Sequence, residues 1–145
     1  MNGPPESVGI RAARVDELPD VLNVLDGAML ETDTGRLRGA IDRGAVLVAV
    51  ADGERVLGAL VLDGEEVTAV AVRQRRRGQG VGTALVEAAA SQRDRLVAEF
   101  DPRVRPFWED LGFVIRPAAG PSAVGGADAF GPRRLRGVRG STDDA

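Results

Sequence analysis

The chain has 145 residues, 43% hydrophobic and 28% charged, enough for one domain with its own core. It contains no cysteine, histidine or tyrosine. That excludes disulfides, thiol nucleophiles, thiolate metal sites and a Ser-His-Asp triad, and leaves acid–base chemistry to Asp, Glu, water or the substrate. A net charge of −3 and a pI near 5.1 argue against a dedicated nucleic-acid binder. All 19 basic residues are arginine. No apolar run approaches the ~20 residues of a membrane span. Met1 to Gly9 lacks the basic and apolar regions of a signal peptide, so a cytoplasmic protein is expected.

Val8 to Ala13 alternates apolar residues with Gly9 and Arg11 and predicts a first strand. Asp16 is the expected N-cap of a first helix, with Pro19 in its first turn and Leu18, Val21, Leu22, Leu25 and Met29 on its apolar face. Thr32 to Arg43 reads as a shorter helix anchored by Leu37 and Ile41, weakened by Gly35 and Gly39 and ended by Gly44. Three apolar, β-branched runs follow: Ala45 to Ala51, Val56 to Leu62 and Glu66 to Val72. They are separated by Asp52-Gly53 and Asp63-Gly64, which predict an antiparallel meander.

The third run leads into Arg73-Gln74-Arg75-Arg76-Arg77-Gly78-Gln79-Gly80-Val81-Gly82-Thr83, after which Val81, Leu85, Ala88 and Ala89 recur at helical spacing to about Arg93. Glycines at a strand-to-helix junction let the backbone approach an anion. The unpaired N–H groups of the first helical turn and the helix dipole favour one there. Arginines beside it add forked donors suited to phosphate. A Walker A loop needs Gly-Lys, and the chain has no lysine; a Rossmann fingerprint needs Gly-x-Gly-x-x-Gly, whereas here the spacing is Gly78-x-Gly80-x-Gly82. The bland alternative is a tight turn beside a solvated arginine run.

Leu96 to Phe100 predicts a strand and Asp101-Pro102 a turn. A helix begins no earlier than about Arg103, with Val104, Phe107 and Leu111 as its stripe, and stops at Gly112; Phe113 to Arg116 is a further strand. Pro117 to Gly131 reads as a long loop, Arg133 to Arg139 as a last edge strand, and the remainder as a tail. The expected organisation is thus a core over 8–116, with 117–145 belonging to the same domain.

Two segments carry a family resemblance. Arg75-Arg76-Arg77-Gly78-Gln79-Gly80 fits Gln/Arg-x-x-Gly-x-Gly/Ala, the coenzyme A-binding motif of the GNAT superfamily of N-acetyltransferases. Phe107-Trp108-Glu109-Asp110-Leu111-Gly112-Phe113 resembles that family's Phe-Tyr-x-x-Leu-Gly-Phe, with Trp108 where tyrosine usually stands. The resemblance covers roughly Val8 to Arg116. It implies an α/β fold: a mixed, mostly antiparallel sheet flanked by helices and splayed between the fourth and fifth strands. It also implies acetyl-CoA as co-substrate and no metal.

By that resemblance, main-chain groups of Val70, Ala71 and Val72 meet the pantetheine arm and thioester. Arg75, Arg77, Gly78, Gln79, Gly80, Val81, Gly82 and Thr83 wrap the pyrophosphate, and Asp101 takes the place of an asparagine that bonds the cofactor arm. Glu66, opening its strand as Glu-Val-Thr-Ala-Val-Ala-Val, resembles the glutamate base of the histone-acetyltransferase branch; Glu99 is the runner-up base. Each position has a plainer reading: core for Val70 and Val72, a solvated hairpin acid for Glu66, a turn cap for Asp101 and a large core residue for Trp108. An indole N–H is a donor that does not surrender its proton, so Trp108 does not replace the tyrosine as an acid.

The resulting expectation is acetyl transfer to an amine, small molecule or protein, by direct attack in a ternary complex. The rival is a non-catalytic acyl-CoA-binding sensor or interaction domain. An RNA-associated role for the tail arginines Arg133, Arg134, Arg136 and Arg139 lacks interleaved aromatics, at 3% of the chain. No membrane partner is expected, and a homodimer stays open, as does the acceptor.

Overall fold

The computed structural model describes residues 8–27, 34–51, 55–73, 80–117 and 134–140. In chain order these form β1 (Val8–Ala12), a 3-10 turn at Val15–Glu17, α1 (Leu18–Gly27), α2 (Thr34–Asp42), β2 (Val46–Ala51), β3 (Arg55–Asp63) and β4 (Glu66–Val72). Then come α3 (Val81–Gln92), β5 (Arg95–Phe100), a 3-10 turn at Pro102–Val104, α4 (Arg105–Asp110), β6 (Val114–Pro117) and β7 (Leu135–Gly140). Met29, the Asp52-Gly53 turn and residues 74–79 of the glycine-arginine stretch lie outside the described residues.

One sheet runs in the order β1-β2-β3-β4-β5-β7-β6. β1 to β4 are an antiparallel meander. The β3–β4 hairpin closes on the pair Asp63↔Glu66, with Gly64 at φ 62° between them. β4 and β5 run parallel, while β5–β7 and β7–β6 are antiparallel. This is the mixed, mostly antiparallel α/β arrangement expected of the chain.

The centre of the sheet is covered on both faces, since all of β2 and Val56–Leu60 of β3 are buried. A Cβ built on Gly58 would meet Val81 and Leu85, which sets α3 on that face. α4 lies beside α3, because a Cβ on Gly82 would touch the Phe107 ring. On the other face α1 packs against β3 and β4, and α2 against β2 and β3; Val21, Val24, Leu25, Leu37, Ala40 and Ile41 supply that layer of core.

β4 carries the feature that matters most. Its register with β3 passes from Leu62↔Val67 to Val61↔Ala69, so Thr68 is an extra residue, a β-bulge. A bulge bends its strand and increases the local twist. This one falls immediately after the last β4–β5 pair: only Glu66↔Val97 and Val67↔Ala98 are in register. Beyond Val67 the two strands part, as the splay expected between the fourth and fifth strands.

Two local expectations are corrected. Residues 135–140 are not an edge strand: β7 inserts between β5 and β6 and pairs with both, leaving β6 at the edge. The long 118–134 connection gives the chain the length to return past β6. Gly137 lets the inserted strand pass under the Phe100 and Phe113 rings, which a Cβ there would meet at 3.2–3.3 Å. Nor does Asp16 cap α1. The capping carboxylate is Glu17, which accepts from the Arg14 backbone N–H at 2.9 Å and starts a 3-10 turn that runs into the helix.

Candidate active site

The splay ends at the N-terminus of α3. Gly80 precedes the helix with φ 84° and ψ 5°, a left-handed conformation that glycine adopts without a Cβ penalty. The helical ladder opens with Ala84 N–H donating to Gly80 C=O at 2.9 Å, so the N–H groups of Val81, Gly82 and Thr83 lie ahead of it. They form the electropositive end of a 12-residue helix. Among the described residues beyond its chain neighbours, no atom lies within 4 Å of where a Gly80 side chain would begin. Arg75, Arg77, Gly78 and Gln79 lie outside the described residues. Arg73 is drawn off: its Nε donates to the Val56 carbonyl at 2.7 Å, and its backbone N–H to Leu57. That guanidinium holds β4 to β3.

Along the splay, Ala71 is buried and Val70 and Val72 are half-buried. Their β3-facing side is in the ladder, and no β5 residue is in register with Thr68–Val72. Val72 has an interaction of its own; at Val70 the edge facing β5 has no β5 residue in register, a place where an amide-bearing arm can approach the strand. Val72 and Phe107 both approach Gly82, as a Cβ there would meet them at 3.7 and 3.3 Å. The groove thus narrows just above the first turn of α3. No sequence pattern points to Phe107 as part of the groove; its half-burial beside a helical glycine shows only in three dimensions.

Trp108 is 5% exposed. Its ring stacks on Phe100 with centroids 5.2 Å apart and meets Phe107 and Phe113 edge-on at 5.1 and 4.9 Å. It is the centre of an aromatic cluster that fixes α4 to the sheet. Asp101 caps the turn before α4, accepting from the Arg103 backbone N–H at 2.8 Å and from Arg103 Nε at 3.2 Å. Those bonds hold its carboxyl below the usual range. Glu99 faces Arg136 at 3.5 Å, and its carbonyl accepts from Arg134. Two of the tail arginines therefore serve to hold β7 against β5.

Glu66 is exposed. It sits directly opposite Asp63 across the β3–β4 ladder, and opposed residues share a face of a sheet. On that face Asp63 lines an open cavity of about 460 Å³, bounded by Gly35, Arg36, Gly39 and Arg43 of the α2 region and by Val61, Thr68 and Ala69. The bulge residue thus belongs to both features: past Thr68, β4 leaves β5, and Thr68 and Ala69 floor the cavity. The helix-weakening glycines of α2 acquire a reason here, since both are part of its wall. Neither bulge nor cavity breaks the sequence pattern, so neither can be read from it.

A buried ion pair lies at the start of α1. Glu17, 5% exposed, takes both Arg11 guanidinium nitrogens, at 2.8 and 2.6 Å. Its pKa falls to about 2, chiefly through the Arg11 bonds, against an opposing push from burial.

The sequence profile of the acetyltransferase (GNAT) domain matches residues 42–115, just over half of the chain. The chain belongs to the GNAT acetyltransferase family. Solved structures share its fold. Diaminobutyrate acetyltransferase EctA from Paenibacillus lautus, in complex with L-2,4-diaminobutyric acid and coenzyme A, superposes with a TM-score of 0.71 at 15% identity, covering 97% of this chain and 99% of that one. N-acetylglutamate synthase from Neisseria gonorrhoeae, complexed with coenzyme A and N-acetyl-glutamate, gives 0.72 at 17% identity over 94% of this chain and 36% of that one. A GCN5-related N-acetyltransferase from Kribbella flavida gives 0.64 at 17% identity over 76% of this chain and 33% of that one. The chain therefore spans about a third of the length of the last two. No curated protein sequence matches. Among the described residues no helix is long and apolar enough to cross a membrane, and no group of His, Cys, Asp or Glu is arranged to hold a metal ion.

Proposed function

We propose that the chain transfers an acetyl group from acetyl-CoA to the amine of a small molecule, by direct attack within a ternary complex. The observation that supports this best is the Thr68 bulge. It opens β4 from β5 toward the Gly80 end of α3, and it floors the α2 cavity on the same stretch of strand. A two-substrate reaction needs two approaches to one point. A covalent acetyl-cysteine route is closed, because the chain has no cysteine.

In this reading the N–H groups of Val81, Gly82 and Thr83, with Arg75, Arg77, Gly78 and Gln79, hold the pyrophosphate. In the same reading the strand along Val70, Ala71 and Val72 orients the pantetheine arm, and the Val70 N–H, on the side away from β3, is the donor for charge developing on the reacting carbonyl. When bound, acetyl-CoA supplies an activated acetyl group on a thiol of pKa ~8.5, a leaving group that departs without a strong acid. Asp101 borders the groove as the cap of the turn before α4. Glu66 holds the incoming ammonium at the cavity rim and accepts its proton. A panel of amines of this kind includes L-2,4-diaminobutyric acid, the substrate in the EctA structure.

The test is thiol release from acetyl-CoA across an amine panel, for the wild type and Glu66→Gln, with acetyl-CoA affinity measured by calorimetry. Loss of a positioned base lowers the rate by about 10²–10⁴-fold at neutral pH. Affinity should be unchanged and much of the rate recovered at high pH, where the amine is already neutral. An unaltered pH–rate profile removes Glu66 and turns attention to Glu99. One observation favours a second reading: Trp108, which by the family resemblance takes the place of the usual tyrosine acid, is a buried indole. Tight acetyl-CoA binding with no thiol release from any amine would identify an acyl-CoA sensor.

A further inference from the structure

We infer that the α2 cavity takes an acceptor whose amine is accompanied by a carboxylate, and that the Arg43 guanidinium recognises that carboxylate. This rests on the acetyl-transfer reading for the amine, but its observations are those of the cavity alone. At about 460 Å³ the space is of small-molecule size. Arg36 and Arg43 stand on its helical wall, and Asp63 is its acid, with Glu66 directly across the ladder from Asp63. The lining therefore has a cationic wall and an acidic edge. A polyamine would bring a second ammonium against the like charge of Arg43; a zwitterion with its ammonium toward Asp63 and Glu66 and its carboxylate toward Arg43 meets opposite charge at both ends.

Arg43 is the recognising group because of how it is held. Its Nη1 lies 3.6 Å from where a Gly39 side chain would begin, so the guanidinium lies across the glycine on the cavity wall. Most of the chain's other described arginines are engaged: Arg11 by Glu17, Arg73 by a carbonyl, Arg95 by Glu65, Arg105 by Glu109 and Arg139 by Glu87. Arg36 has an interaction of its own. Among the described residues, no hydrogen bond or ion pair ties the Arg43 side chain, and none ties Asp63. A planar fork of donors, free and facing a cavity, matches a carboxylate bidentately.

The experiment separates binding from turnover. Glycine, β-alanine, 4-aminobutyrate, L-glutamate and L-lysine are titrated into the full chain beside the matching primary amides and the diamine putrescine. Amide NMR shifts at Gly39 and Thr68 report occupancy of the cavity, and thiol release reports turnover. At least one carboxylate is expected to shift both amides at an affinity on the order of 10-fold above its amide, the scale of a charge-assisted bond at a partly exposed site. Arg43→Gln should erase that preference and Arg43→Lys should keep part of it. Equal affinity for carboxylates and amides, preference for putrescine, a preference that survives Arg43→Gln, or no shift from any carboxylate each overturns the inference. Carboxylate-selective shifts without thiol release would uphold it while removing the acetyl-transfer reading.

Discussion

The two faces of the sheet are built on opposite principles. Under α3 and α4 the packing is close and apolar: a Cβ on Gly58, Gly82 or Gly137 would meet side chains at 3.2–3.3 Å, and Trp108 is ringed by three phenylalanines. Under α1 and α2 an apolar layer of Val21, Val24, Leu25, Leu37, Ala40 and Ile41 is joined by charge and open space, in the Arg11–Glu17 pair and the arginine-lined cavity. The first face offers closely packed apolar walls to whatever lies in the splay. The second can vary its occupant by changing a few side chains. The difference suggests that cofactor recognition sits with the rigid face and acceptor choice with the other, and substitutions on each face test that division.

The largest effect expected is on the rigid face. Trp108→Ala removes the centre of the aromatic cluster and should cost about 3–5 kcal/mol in denaturant unfolding. Trp108→Tyr should retain most of the packing and, if this position faces the leaving thiol, raise turnover. A melting temperature unmoved by Trp108→Ala would mean that α4 is not fixed by this ring.

On the other face the strongest single interaction is electrostatic. Glu17 has a folded pKa near 2 against an ordinary value of 4.5. Its contribution is fully present above pH 4.5 and is lost as pH falls toward 2. A depression of that size corresponds to roughly 3 kcal/mol. Glu17→Gln should lose about that much at pH 7, while the difference from wild type fades through the acid range. Parallel acid limbs for the two proteins would show that the Arg11 bonds do not stabilise the fold.

These two residues also mark what could be read from the chain itself. The meander, α3 and the glycine turn into it were legible because periods of 2 and 3.6 change over at Arg73 to Val81, and Gly80 supplies the positive φ that this junction requires. Trp108 is the large core residue of its plainer reading, whereas Val104, expected in the buried stripe of the same helix, is 44% exposed. Glu17 was not legible: its partner is six residues back on a strand, a spacing that no helix or strand period selects. Thr68 is invisible within a run of Val, Ala and Thr, since a bulge changes register without changing composition. The place of β7 depends on a connection whose length permits either side of β6. Gly35 and Gly39 read as weaknesses of α2 because a cavity leaves only small residues as its trace.

A smaller effect should come from Gly58→Ala. The new Cβ would lie 2.9 Å from the Ala71 carbonyl oxygen, with Val81 and Leu85 side chains at 3.2 Å. The closest atom is backbone in a paired strand, so the side chain cannot be accommodated by rotation. Overpacking of this kind costs about 1–3 kcal/mol. Because Ala71 is the strand residue displaced, acetyl-CoA affinity should fall along with stability.

The smallest effect on stability, and the most selective, is expected from Gly82→Ala. This glycine sits in the first turn of α3, where replacement by alanine gains up to ~1 kcal/mol of helix propensity. Against that, the Cβ would meet the far edge of the Phe107 ring at 3.3–3.4 Å, and a half-buried ring can yield by a few tenths of an ångström. The gain and the cost nearly cancel, so the melting temperature should change little. The ring yields into the groove mouth, however, and a methyl group now stands beside the N–H groups proposed to bind pyrophosphate. Acetyl-CoA affinity should therefore fall several-fold while a carboxylate titration at the α2 cavity is unaffected. Were both affinities to fall together, the faces would be coupled through β4, and the assignment of cofactor and acceptor to separate sides of the sheet would fail.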